Sequence, residues 1–483
     1  MNTRQFFSTV LMALAALLSA CGGDSQLAGI NGGGISNGGT SDPGVVVGPI
    51  TGFGSIFVNG IEFDLNGSSI TVNDQPNKGQ TDLAIGQIVT VKGKINQSTG
   101  MGTADSVEYG NNLKGAVSAV DTVNNTFTVI GQTVTVTGTT VFEGRTGLSD
   151  LLVNVDIVEV SGFVNAAGKI EATRVERQTI PGSSELKGAV SNLDTSLQTF
   201  MIGTTKISYS LGVQVNGGTL TDAACVEVEG TYNGTQLNAS RIDVKSCGLP
   251  ASPNMIGEIQ GIITTSLSGS TFKIGTQTIS ITNTTQYNVS GTPASLLVAG
   301  PTVVEVEGTF DNSPVPVLVA RKIEIKQGTD VRMTGLVDVG SVNIAAKTFT
   351  MYGVTVSTNA STQFVNKLAS SNVPYSLTDL IAGDFVEVRG YENASHTAMT
   401  AVTLERRNPD SNSRVEIRAT ASGVSAANSS FTLLGRVNVN ATNASLSPAD
   451  FFTTGNNHLV RAQGTWADPV FSAESVKIES TQP

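Results

Sequence analysis

Residue types able to do chemistry are scarce in this 483-residue chain. It has two histidines, His396 and His458, and three cysteines, Cys21, Cys225 and Cys247. A metal centre or an acid–base site needs His, Cys, Asp or Glu gathered at defined spacing. His396 falls in an expected hairpin loop and His458 just ahead of an expected strand, in different parts of the chain, so neither reads as a ligand or a base. No Gly-x-Ser-x-Gly elbow stands beside a suitable His and acid. There is no Cys-x-x-Cys, no calcium-loop spacing and no Gly-rich phosphate loop between strand and helix. No cofactor and no metal are expected. The acids that recur in one sequence context are Glu159, Glu227, Glu305 and Glu387. A row of them is either a cation-binding stripe or a set of solvated strand faces, and solvation is the expectation.

That context is a six-residue motif written six times with drift: IVTVKG at 88–93, IVEVSG at 157–162, CVEVEG at 225–230, VVEVEG at 303–308, FVEVRG at 385–390 and LVRAQG at 459–464. The closing glycines are 69, 68, 78, 82 and 74 residues apart. A loose period of that size marks a tandem array of small domains with insertions in loops. Two further signals keep step. A short Phe-containing stretch ending in Gly precedes each motif, such as FTVIG at 127 and FKIG at 272. An Ala-x-x-apolar stretch follows it, such as ATRVER at 172 and ARKIEI at 320.

Within one motif the alternation is that of a strand. Val226 and Val228 share a core face, and Glu227 and Glu229 share the other. The closing glycine permits a bulge or tight bend where a strand curls. The stretch from Leu113 to Arg177 holds five expected strands, with LSDLLVNV between the third and fourth able to form one helical turn. Three strands, a short helix and two strands is the order of an oligonucleotide/oligosaccharide-binding barrel; an SH3-like barrel is the alternative. The fold class expected is all-β, a tandem array of six small five-stranded barrels. The expected bounds are 48–110, 111–178, 184–247, 255–327, 331–407 and 415–480, with short turn-rich joints between them.

Cys225 opens the fourth expected strand of its repeat and Cys247 closes the fifth. A hairpin about 233–238 brings them opposite each other, and an exported compartment permits a disulfide. Such a loop stabilises its domain by roughly 3 kcal/mol. Three aromatic residues are the side chains a ligand would stack on: Trp466, the single tryptophan, and Tyr232 and Tyr391 just after their motif glycines. Packing within a hairpin is the plainer reading of each.

Composition excludes some partners. The formal net charge is -11, charged residues are 14% and aromatic residues 5% of the chain, and there is no Lys/Arg cluster. Nucleic acid is therefore not an expected partner, since phosphate binding needs a basic surface. The N-terminus reads as a secretion signal over 1–20: Arg4, then an apolar run too short to span a bilayer. Leu18-Ser19-Ala20-Cys21 resembles the lipobox of bacterial lipoproteins. The resemblance implies cleavage before Cys21 and a diacylglyceryl group on its thiol. Gly22 rather than Asp after it implies the outer membrane, on its periplasmic or cell-surface face. Residues 21–47 are rich in Gly, Ser and Asn and are expected to be a tether spanning roughly 30 Å.

The stretch GPITGFGSIFVNGIEFD at 48–64, with LAIGQIVTVKG at 83 and TADSVEY at 103, resembles the bacterial domain of unknown function 5666, which occurs as repeats in secreted and lipid-anchored envelope proteins. The resemblance is strongest in the first two repeats and weakest in the last, where Val-Arg-Ala replaces Val-Glu-Val. It implies fold and location, and no catalytic residue. The expected function is non-enzymatic: a spacer, adhesive or scaffolding array anchored to the membrane by its lipid, with an envelope protein or a polysaccharide as partner. Carbohydrate binding in barrel grooves is the second reading, and a carboxylate-dependent hydrolase the third.

Overall fold

A computed structural model describes residues 41–97, 99–179, 182–289, 291–300, 302–326, 328–368, 373–409 and 414–479. The expected signal peptide, Cys21 and most of the tether lie outside the described residues. Residues 42–47, expected in the tether, belong instead to the first strand, Asp42–Gly52. Val45 and Val46 are fully buried there, which fixes the chain before the first distinctive motif begins.

The protein is all-β and contains several small closed five-stranded barrels. The second repeat shows how one closes. Leu113–Asp121 pairs antiparallel with Thr126–Val129, which pairs antiparallel with Gln132–Glu143. That third strand runs parallel to the fifth, Ile170–Gln178. The fifth pairs antiparallel with the fourth, Ile157–Val164, and the fourth returns to the first. A single 3-10 turn, Leu148–Asp150, fills the link between third and fourth strands. The same order of pairings recurs in the first, third, fourth and sixth repeats. In the fifth repeat the first strand, Val331–Leu336, stops short of Thr348–Met351. There Tyr352 Oη donates to the Thr334 carbonyl and Asp338 N to that of Thr350.

The motif glycine sits at a register shift in every repeat, after Lys92, Ser161, Glu229, Glu307, Arg389 and Gln463. A Cβ at Gly390 would stand 1.8 Å from the Thr400 carbonyl oxygen, and one at Gly162 2.3 Å from that of Glu171. The fifth strand's backbone crosses so close at the bulge that no side chain fits. The valines before it, Val158 and Val160 or Val386 and Val388, are fully buried.

The repeats are not strung in sequence order. They join in pairs through their first strands. Leu113 of the second repeat lies opposite Leu186 of the third, and Met333 of the fifth opposite Ile417 of the sixth, both antiparallel. Leu113 and Leu186 each open an LKGAV stretch, so equivalent positions meet about a local twofold. The first repeat skips its neighbours and pairs in parallel with the fourth, from Gly44 opposite Ile256 to Val47 opposite Ile259. Second and third repeats share one apolar core, as do fifth and sixth. Burying these seams removes apolar strand surface that an isolated barrel would leave wet.

Candidate functional site

The recurring glutamates do not face water. Glu227 is 6% exposed, Glu305 5% and Glu387 1%. The expectation of solvated strand faces fails because the outer wall of one repeat is the packing surface of another. The motif strand puts each glutamate directly opposite an acid of the fifth strand: Glu159 and Glu176, Glu227 and Asp243, Glu305 and Glu324, Glu387 and Glu405. Like charges so placed repel, and protein cations offset them.

Each junction solves this differently. Glu159 accepts from Tyr109 Oη at 2.9 Å and from Asn73 Nδ2 at 3.1 Å, both in the first repeat. Burial pushes its carboxyl above the usual value. Glu227 is flanked by Lys187 and Lys245, each at 3.4 Å, and Lys245 also reaches Asp74 of the first repeat at 2.7 Å. Glu305 meets Lys326 at 2.9 Å, and burial still holds its carboxyl high. Glu387 gathers Arg332 at 2.6 Å, Arg407 at 2.5 Å and Arg389. Burial raises its carboxyl, but those three guanidiniums prevail and hold it below the usual value. Arg389 in turn donates to the Gly138 carbonyl of the second repeat at 2.9 Å. A fully buried acid outside the motif, Asp156, takes two bonds from Arg145 (2.7 and 2.6 Å), one from Arg177 (2.8 Å) and one from Leu152 N (2.9 Å). Burial opposes its ionisation, yet these donors bring it down to about 2.

These carboxylates are engaged with lysines, arginines, a tyrosine and an asparagine rather than set out as an acid and a base around a substrate. Among the described residues no group of three or more His, Cys, Asp or Glu is placed to hold a metal ion. His396 sits at the tip of the hairpin after Phe385–Glu392 and contacts Glu392, whose other oxygen accepts from Thr420 N of the sixth repeat. His458 Nδ1 lies 3.1 Å from the Asn456 carbonyl, in another repeat.

The three aromatic residues are not brought together. Trp466 packs edge-on against Tyr352 of the fifth repeat, with ring centroids 4.8 Å apart. Tyr232 packs on the shared core of second and third repeats and donates to the Gly234 carbonyl. Tyr391 lies half-buried in the fifth. Trp466 and Tyr232 occupy equivalent places, each reaching the turn between second and third strands of the preceding repeat. Both fasten paired barrels. Cys225 and Cys247 form a disulfide with their Cα atoms 5.3 Å apart. Sequence reasoning missed the arginines at 332, 389 and 407 around Glu387. Their signal was the Arg in FVEVRG and the Arg-Arg at 406–407, which becomes meaningful only once the strands are in register.

The family model described as a domain of unknown function (DUF5666) matches residues 44–108, 114–176, 260–324 and 334–405. No curated protein matches the chain.

Proposed function

The chain belongs to the DUF5666 family, matched over more than half its length, and from that premise we propose a non-enzymatic, lipid-anchored protein of the cell envelope. Its six repeats act as small barrels of oligonucleotide/oligosaccharide-binding type, assembled into one scaffolding or adhesive body. The ring order described above supports the barrel type. The lipobox at Cys21 supports the anchor and the outer-membrane location. The observation that carries the non-enzymatic reading is the engagement of Glu159, Glu227, Glu305 and Glu387 in bonds that hold strands and repeats together.

Two measurements on the full chain test it. Expressed in a Gram-negative host, it should incorporate a labelled fatty acid and fractionate with the outer membrane, and Cys21→Ala should lose both. Incubated with cell-wall polymers and common ester and glycoside substrates, it should release nothing. Turnover above that of a heat-denatured sample would sink the non-enzymatic reading.

A further inference from the structure

The seam between fifth and sixth repeats builds a row of cations that no single repeat contains. Arg332 lies directly opposite Arg389 on one side and Arg418 on the other. Arg418 is opposite Arg461, and Arg461 opposite Lys477. Residues directly opposed across strands project from the same face. Five positive side chains on five adjacent strands therefore form one line of roughly 19 Å. The fold does not require that sign. In the third repeat the positions matching Arg418, Arg461 and Lys477 of the sixth hold Lys187, Glu227 and Asp243. In a chain of net charge -11, a row of five cations costs repulsion and calls for a counter-charge.

Protein acids supply part of it. Arg332 is 2.6 Å from Glu387 and 3.1 Å from Glu416, Arg389 also pairs with Glu387, and Arg461 and Lys477 share Glu479 at 3.0 and 3.3 Å. Arg332 Nε is buried without a hydrogen-bond partner among the described residues. Beside the row, on the same face, runs an open groove of about 500 Å³. Arg332, Arg407, Arg414, Phe385, Gln463 and Ser475 line it. The Arg414 side chain is 55% exposed and lies 2.7 Å from Glu474, itself 47% exposed, a surface pair that an incoming carboxylate can exchange with.

We propose that this groove and its cationic row bind an acidic polysaccharide, one that carries carboxylates along its length. Guanidinium forks match carboxylates in a planar, two-bond geometry. Phe385 offers an apolar face for a sugar ring, and Gln463 and Ser475 offer partners for hydroxyls. Glu416 and Glu474 also line the groove. They accept from sugar hydroxyls and repel the denser charge of a nucleic-acid backbone, which is why a glycan is favoured over an oligonucleotide. The ligand goes beyond the scaffolding role, which stands without it.

The test is a titration of the full chain with polygalacturonate, and with neutral dextran and a single-stranded oligonucleotide for comparison. Saturable binding to polygalacturonate is expected, weakening several-fold between about 50 and about 500 mM salt. Arg407→Gln with Arg414→Gln should weaken it by at least about tenfold, while Lys169→Gln, at an exposed turn of the second repeat, leaves it unchanged. The double variant should remain folded at the assay temperature, with a lower unfolding midpoint because Arg407 no longer faces the buried Glu387. Arg414→Gln alone, at the most exposed of these positions, gives a second reading if it does not. Failure to bind polygalacturonate, equal binding to dextran, tighter binding to the oligonucleotide, or full binding by a folded double variant would each overturn the proposal. Polygalacturonate hydrolysis would instead overturn the non-enzymatic reading.

Discussion

Glu258 lies directly opposite Glu307, on neighbouring strands of the fourth repeat, and among the described residues it makes no ion pair. Lys322 and Arg321 both go to Glu307. Glu258 also faces Val46 across the parallel seam to the first repeat. It borders a cavity of about 70 Å³ with Asn59 of the first repeat and Ala360 of the fifth. Burial, with Glu305 and Glu307 beside it, raises its carboxyl well above the usual range, against the weaker pull of Lys326 and Lys322. The folded protein thus holds a proton here that the unfolded chain releases above about pH 4.3. Stability falls as pH rises from there towards the folded value. Glu258→Gln should raise the unfolding midpoint by about 1–3 °C at pH 7.5 and change nothing near pH 4. A lower midpoint at pH 7.5 would contradict this.

Asp156 has the opposite sign. Its carboxyl is brought down to about 2, so its contribution is complete above the unfolded value near pH 3.9 and is lost as pH falls towards 2. Asp156→Asn should cost about 2 kcal/mol at pH 7. In denaturant titrations over a pH series, the gap between variant and parent should close near pH 2.

The bulge glycines are the steric test of the motif. Gly390→Ala places a methyl group against the Thr400 carbonyl oxygen and should cost roughly 3 kcal/mol or more. Gly212→Ala, where an added Cβ meets nothing within 4 Å, should stay within about 0.5 kcal/mol of the parent. Equal midpoints for the two variants would show that the close approach is not what selects glycine.

The disulfide ties the ends of the hairpin from Cys225–Tyr232 to Gln236–Lys245, closing 22 residues of separation. Cys225→Ser with Cys247→Ser should lower the third repeat's stability by roughly 3 kcal/mol. Amide hydrogen exchange would show it as faster opening confined to that repeat and its shared core with the second.

Much of one repeat is legible in the sequence, because its signals are local. Val226 and Val228 alternate with acids, Gly230 marks the bulge, and Cys225 and Cys247 fall where a hairpin brings them together. What joins the repeats is not local. Val45 and Ile259 look like ordinary strand residues, and nothing in their identity says that strands about 210 residues apart lie side by side. The burial of Glu387 is hidden for the same reason. Its strand reads as half-solvated until Arg332 and Arg407 are brought round the barrel. Trp466 looks like a candidate for a sugar platform until the fusion of two barrels sets Tyr352 against it.

The central claim is that the repeats form one body through paired first strands, the first with the fourth, and not a string. Small-angle X-ray scattering of residues 41–483 tests this most directly. One joined body of this length should give a radius of gyration below about 28 Å, near the compact expectation of about 22 Å. A radius above about 40 Å, with the profile of a rod, would mean that the barrels follow one another in line, and the account would fail.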